Sequence, residues 1–108
     1  MIKVNLKSKG GSIIAGEISG HAEFAEENDI VCASVSAVSF AVFNGIENVV
    51  GIDFGYEVRD GFLYFTIPDD LDAPARCRVD DLLNTLYLYL VELERQYKEN
   101  IKVSKTEV

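Results

Sequence analysis

Residues 52–67, IDFGYEVRDGFLYFTI, decide the fold class because they encode a strand, a tight turn and a second strand. Apolar and polar residues alternate on both sides of Asp60-Gly61. Asp-Gly between two alternating runs is a strong hairpin signal. We therefore predict strands from Ile52 to Val58 and from Phe62 to Ile67.

A second hairpin is predicted at the start of the chain. Residues 3–8 alternate, Lys9-Gly10-Gly11-Ser12 is typical of a turn, and residues 13–19 form the returning strand, which Gly20 closes. Near the other end, Ile101-Lys102-Val103 adds a final short strand, and we expect the tail 104–108 to be mobile.

Two helices are predicted between and after the hairpins. The first begins after Asn28 or Asp29, either of which accepts hydrogen bonds from first-turn amides, and ends at Asn44-Gly45 with the glycine in the left-handed cap. Its residues are small and apolar almost all round, which predicts burial on most sides. The second, residues 75–98, has an apolar stripe at helical spacing. Three apolar residues fall outside that stripe, and a subunit interface would explain them: Tyr87, Leu88 and Tyr89.

This order predicts one α+β domain spanning residues 1–108. The arrangement is a ββαββα(β) sandwich, with both helices packed on a mainly antiparallel sheet.

The composition restricts the function classes. The net charge of −8 disfavours direct nucleic-acid binding and would attract a basic polypeptide. The N-terminus lacks a secretory signal core, and we expect no apolar run to reach membrane-spanning length, so the cytoplasm is the expected location. The chain has one histidine and no CxxC, so we expect no metal site and no cofactor.

The single histidine, His21, and one of the two cysteines, Cys32, are the candidate catalytic residues. His21 lies in a loop after a predicted strand, and Cys32 lies in the first turn of a predicted helix. A helix N-terminus and a nearby imidazolium both favour the thiolate, which is the reactive form of cysteine. If the two side chains meet, we expect a cysteine hydrolase.

The two motifs around these residues resemble a known family. The chain is similar to the ribosomal-processing cysteine proteases called Prp in two motifs, Gly20-His21-Ala22 and Asp29-Ile30-Val31-Cys32-Ala33-x-Val35-Ser36. The resemblance covers most of the chain, although the loop 23–28 lacks a glycine that many relatives carry and is shorter than in some of them.

The resemblance implies an activity and a set of roles. Family members remove a short N-terminal extension from large-subunit ribosomal protein number twenty-seven, cut after an aromatic residue, and are dimeric. Carried over, Cys32 is the nucleophile and His21 the general base, while Gly20, Asp29 and Ser36 match family positions at the site.

Several residue roles have more than one interpretation from sequence alone. The amides of Cys32 and Ala33 are the expected oxyanion donors. Asp29 either orients His21 or only caps the helix, and the cap is favoured. Ser36 either binds substrate or bonds back to its own helix. Phe24, Phe40 and Phe43 are weaker candidates for a pocket that holds the aromatic residue.

Two other functions compete with proteolysis. One is a ribosome-assembly module whose acidic surface binds a basic ribosomal protein without cutting it. The other is a thiol redox sensor that uses Cys32. Replacing Cys32 by alanine separates a protease from a binding module.

Overall fold

The computed structural model describes all residues from Met1 to Val108. The strands are β1 (Ile2–Lys9), β2 (Ser12–Ser19), β3 (Gly55–Arg59), β4 (Phe62–Thr66) and β5 (Ile101–Glu107), and the helices are α1 (Ile30–Asn44) and α2 (Ala73–Gln96). The strands form one sheet in the order β3-β4-β2-β1-β5, antiparallel except for the parallel pair β1–β5. The predicted α+β architecture is confirmed.

Both helices cover the same face of the sheet. Along β1 the side chains alternate, so that Ile2, Val4 and Leu6 are buried while Lys3 and Asn5 between them are exposed. The buried residues of strands and helices form a single hydrophobic cluster. The other face of the sheet is open, and the molecule has two layers.

The two predicted hairpins are present, and their turns need glycine. Gly10 and Gly11 have φ of 57° and 86°, and Gly61 has φ of 66°. Side chains other than glycine are disfavoured at such angles. The second hairpin is shorter than predicted, because its first strand begins at Gly55 rather than Ile52.

Helix α1 begins after Asp29 as predicted, but its C-terminal end differs from the prediction. Gly45 is right-handed, and the chain continues through a π-helical turn, Gly45–Val50, until Gly51 takes the left-handed cap with φ of 83°. A Cβ at Gly45 would lie 3.3 Å from Leu82 Cδ1. Gly45 therefore serves close packing against α2 rather than termination.

The extended helix corrects two further expectations. Ile30–Val50 is long and apolar enough, by length and composition only, to cross a membrane, although no run of that length was expected. It supplies Val31, Val35 and Val42 to the core, as a core helix of a globular domain does. The expected burial on most sides was wrong, because Ala37, Phe40 and other residues of its outer face are exposed.

The C-terminal tail is ordered rather than mobile. β5 runs to Glu107 beside β1, and Val108 N donates to Ser8 O at 2.8 Å. Glu107 accepts hydrogen bonds from Ser8 Oγ and from the Gly10 amide. These partners lie about a hundred residues away in sequence, so no local pattern indicated them.

Candidate active site

Three segments meet at one end of the sheet. They are the exit from β2 with Gly20 and His21, the first turns of α1 with Cys32 and Ser36, and the turn between β3 and β4. A cavity of about 210 Å³ lies between them and is lined by residues of all three. The structure therefore brings together four of the six residues predicted for the site. Asp29 and Ala33 lie outside the cavity lining.

Gly20 makes the sharp exit from β2. Its φ is 94°, and a Cβ there would collide with the carbonyl oxygen of Met1. Its amide donates to Gly61 O at 2.8 Å, which ties the end of β2 to the β3–β4 turn. The predicted role in turning the chain is confirmed, and the close backbone approach is to Met1.

His21 packs against the β3–β4 turn. Its Nε2 lies 3.9 Å from Asp60 Oδ2, and the side chains of the two residues are 59% and 98% exposed. A Cβ on Gly61 would lie only 2.7 Å from the same Nε2, so the glycine makes room for the ring. The imidazole is thus positioned by a turn far away in sequence and makes no hydrogen bond with Asp29 or Cys32.

Cys32 is half-buried at the start of α1 and is not in a disulfide. Its Sγ accepts a hydrogen bond from the amide of Ala22 at 3.3 Å. The Ala22 carbonyl in turn accepts from Asn100 Nδ2 at 3.0 Å, which fixes the peptide next to His21. A backbone N–H aimed at sulfur stabilises a negative charge there, in addition to the partial charge of the helix terminus.

Asp29 is the N-cap of α1 and also holds the preceding loop. Oδ1 accepts from the amides of Val31 and Cys32, and Oδ2 accepts from those of Phe24 and Ala25. Burial raises the pKa of Asp29, but the four amides together outweigh it and the net shift is downward. The cap interpretation is confirmed, since every hydrogen-bond partner of the carboxylate is a backbone amide.

The predicted oxyanion donors need correction. The Cys32 amide already donates to Asp29 Oδ1 at 3.1 Å, and the Ala33 amide donates to Asp29 O at 3.0 Å. A donor that is engaged in the cap or in the helix ladder is not available to a developing oxyanion. In this conformation the first turn orders the nucleophile instead.

Ser36 and Ser39 of α1 both line the cavity, but they differ in burial. Ser36 is exposed and makes no hydrogen bond within the chain, whereas Ser34 makes the bond back to its helix, to Ile30 O at 2.7 Å. Ser36 is therefore available to a substrate. Ser39, one turn further on, is fully buried, and its Oγ has no hydrogen-bond partner. Ser39 was not singled out from the sequence.

One of the three candidate phenylalanines reaches the cavity. Phe40 lines it and is 45% exposed. Phe43 is buried against Phe54 and Phe65, and Phe24 packs edge-on against Tyr97 outside the cavity. The remaining apolar wall includes Val58 and Leu63 of the β3–β4 hairpin.

The β3–β4 turn is the part of the site that sequence reasoning missed. Asp60 and Gly61 carry a strong turn signal, but that signal says nothing about which loop the turn touches. The pairing of β2 with β4 places the turn beside His21. Knowledge of the strand order would have identified it.

Comparison with known proteins gives a consistent result. The family model described as "Cysteine protease Prp" matches residues 1–102. The ribosomal processing cysteine protease Prp of Bacillus subtilis (strain 168) is 34% identical over 108 residues, covering 96% of each chain.

Two solved structures share the fold over almost the whole chain. One is the ribosomal processing protease Prp from S. aureus with a covalently linked product peptide, with a TM-score of 0.87, 28% identity, and coverage of 97% of this chain and 99% of that one. The other is Prp from S. aureus in complex with a substrate peptide, with a TM-score of 0.82, 26% identity and the same coverage.

Proposed function

The chain belongs to the ribosomal-processing cysteine proteases of the Prp family and is a cysteine protease, and we propose that Cys32 and His21 form its catalytic dyad. The substrate we propose is the N-terminal extension of large-subunit ribosomal protein number twenty-seven, cut after an aromatic residue. The observation that carries the proposal is the Ala22 amide that donates to Cys32 Sγ, with His21 lining the same cavity.

The chemistry follows from these groups. His21 accepts the thiol proton, and the sulfur attacks the carbonyl carbon of the scissile peptide bond. The protonated imidazole then gives its proton to the leaving amine, which departs and leaves an acyl-enzyme. Water attacks this thioester while His21 takes a proton from it; the C–S bond then breaks, His21 returns the proton to sulfur, and the new carboxylic acid is released and loses its own proton to solvent.

The exposed imidazole has room to make these transfers. It packs against the β3–β4 turn, lines the cavity, and its side chain is 59% exposed. A bound peptide excludes water from the cavity and limits the rotamers of the ring, so we expect the contact between His21 and Cys32 to form in the substrate complex.

The cavity supports the preference for an aromatic residue. Its volume of about 210 Å³ exceeds the ~150 Å³ of a cavity that holds benzene. Phe40, Val58 and Leu63 supply an apolar wall, while the exposed Ser36 provides a hydroxyl group in the lining. These features suit a planar apolar side chain next to the cut.

The surface charge and the exposed apolar residues support the remaining partners that we propose. A net charge of −8 favours a basic polypeptide over nucleic acid. Leu88 and Tyr89 on α2 are 64% and 40% exposed, which suits a homodimer. We propose that the dimer acts in the cytoplasm.

The test is incubation of the purified protein with a peptide spanning the N-terminus of the host's own ribosomal protein, followed by mass spectrometry. Wild type is compared with Cys32→Ala and His21→Ala, and Cys77→Ser is the matched control because Cys77 is exposed and away from the cavity. We expect one cut after an aromatic residue with wild type and the control, and none with the dyad variants. Retained binding without any cut by wild type would favour the assembly module instead.

A further inference from the structure

We propose that the substrate backbone binds as a sixth strand on the free edge of β3, which leads into the cavity beside Cys32. The inference rests on the proposed function, because the added strand is the N-terminal extension. It assigns the recognition of the peptide main chain to a part of the fold that contains no catalytic residue.

The register of the hairpin shows which groups of β3 are free. Arg59 and Phe62 flank a two-residue turn and form a hydrogen-bonded pair. In an antiparallel ladder such pairs alternate with pairs that make no mutual hydrogen bonds. The ladder runs without a bulge to Gly55. The N–H and C=O groups of Tyr56 and Val58 therefore point away from β4, at the outer edge of the sheet.

This edge lacks several of the usual protections against strand pairing, although the strand is short and carries Glu57 and Arg59. All five residues of β3 are exposed, and the strand contains no lysine, proline or bulge. The opposite edge differs. On β5 the Ile101 amide donates to Tyr97 O and the Val103 amide to Glu94 Oε2, and the strand carries Lys102 and Lys105. The first half of the β5 edge is therefore already hydrogen-bonded and its second half carries Lys105, whereas no lysine protects the β3 edge.

The open edge is continuous with the candidate active site. Val58 and Arg59 line the same cavity as His21 and Cys32. A peptide paired along β3 would therefore extend from the outer groups of Tyr56 and Val58 toward the cavity that Cys32 lines. Proteolysis needs an extended backbone at the scissile bond, and strand addition provides one.

The side chains on this edge match an extended peptide. Val58 is opposite Leu63, and Tyr56 is opposite Phe65, so both point to the helix-covered face. Tyr56 and Val58 are 48% and 45% exposed, and Phe40 of α1 adds a third half-exposed apolar group at the cavity. Alternate peptide side chains thus contact apolar surface, which is the pattern of strand addition.

The charged side chains of β3 do not oppose a basic peptide. Arg59 Nε lies 3.1 Å from Glu57 Oε1, and both side chains are on the open face, away from the apolar groups. The pair neutralises itself locally, while the whole chain carries an excess of negative charge.

The test measures the binding of a series of fluorescent substrate peptides, each with one N-methylated backbone amide. The protein is the full-length Cys32→Ala variant, because it binds the peptides without cutting them. Each N-methyl group removes one donor and blocks one edge position. We expect the dissociation constant to rise at least tenfold at alternate positions on one side of the scissile bond and to change less than threefold at the positions between them.

Matched variants test the protein side of the same contact. Val58→Pro removes the outward N–H, and Val58→Ala shortens the side chain but keeps that N–H. We expect Val58→Pro to bind at least tenfold more weakly than Val58→Ala. Lys105→Pro places a proline at an outward amide of β5 and should leave binding unchanged. Thermal melting of each variant identifies any that does not fold, and the N-methyl series does not depend on them.

The outcomes separate this inference from the proposed function. Strand addition would be overturned if the N-methylated peptides showed no alternation in affinity and the two Val58 variants bound equally well. The protease assignment would stay intact if wild type still cut the unmodified peptide. Conversion of a dimer to a monomer by Val58→Pro, with peptide affinity unchanged, would show that a second copy occupies the edge and would also overturn it. Failure of wild type to cut or bind any peptide would overturn both.

Discussion

Replacing Gly61 by alanine should impair catalysis far more than it impairs folding. The residue has φ of 66°, and a Cβ there would lie 2.7 Å from His21 Nε2, 3.2 Å from Cε1 and 3.4 Å from Cδ2. Comfortable contacts between such atoms are about 3.5–4.0 Å. The imidazole must therefore withdraw by about 1 Å from its present position.

The two consequences of this substitution have different magnitudes. The left-handed backbone costs an alanine about 1–2 kcal/mol. The clash itself adds little, because the ring is the exposed end of a flexible side chain and can move into solvent. A displacement of about 1 Å in a catalytic group can cost about 10²-fold in rate. We therefore expect kcat/KM to fall by about two orders of magnitude with a modest loss of stability.

Gly11→Ala is the matched control. Gly11 is also the second residue of a two-residue hairpin turn, its φ is 86°, and nothing lies within 4 Å of a Cβ there. Both variants should lose similar stability in urea denaturation, and only Gly61→Ala should lose peptide cleavage. Because the chain has one histidine, the NMR signals of its imidazole report the displacement directly. Equal kcat/KM in the two variants would refute the reasoning that this turn positions His21 for catalysis.

Other predictions concern the residues around the dyad. Asp29→Ala should lower the free energy of unfolding by about 1–2 kcal/mol in urea denaturation, and Asp29→Asn, which keeps an acceptor, should lose less. Because folding lowers the pKa of Asp29, its charged form stabilises the fold above the ordinary aspartate pKa of 3.8, and this stabilisation is lost as the pH falls through the pKa of the folded protein. The free energy of unfolding should therefore fall less steeply at acid pH in Asp29→Ala than in wild type. An unchanged pH dependence would contradict this. Ser39→Ala should leave the melting temperature unchanged or raise it, because the lost hydroxyl is buried without a partner; a fall of several degrees would show that the hydroxyl has a partner in solution. Asp60→Asn should change kcat/KM by less than about threefold, because the 3.9 Å contact between Asp60 and His21 is exposed to solvent and screened. A fall in kcat/KM as large as that expected for Gly61→Ala would instead make Asp60 a positioning residue for the imidazole.

The sequence indicated the elements whose signals are local. Asp60-Gly61 and Gly10-Gly11 predicted both hairpins, and Asp29 predicted the start of α1, because turn geometry and capping are set within about four residues. The motifs around His21 and Cys32 also placed both residues on what proved to be one cavity.

The errors arose where distant segments determine local structure. Gly45 resembled a helix terminator, but a side chain there would press against Leu82 of α2, and this close packing favours glycine. The tail 104–108 resembled a mobile end, but β1 offers it a parallel partner. The Cys32 and Ala33 amides resembled free donors, because helix propensity does not show that Asp29 engages both of them.

The acidic surface and the proposed thiolate are compatible because they act over different distances. The loop carries three exposed carboxylates, Glu23, Glu26 and Glu27. Water weakens their repulsion of a Cys32 thiolate, and salt screens it over a Debye length of about 8 Å. The Ala22 amide lies 3.3 Å from Sγ at a half-buried position, where screening is weak. Local backbone dipoles therefore stabilise the sulfur, while the wider field attracts a basic peptide. Since only the wider field is screened, raising the ionic strength should raise KM and leave kcat nearly constant, whereas a parallel fall in kcat would mean that the acidic loop acts directly on the dyad.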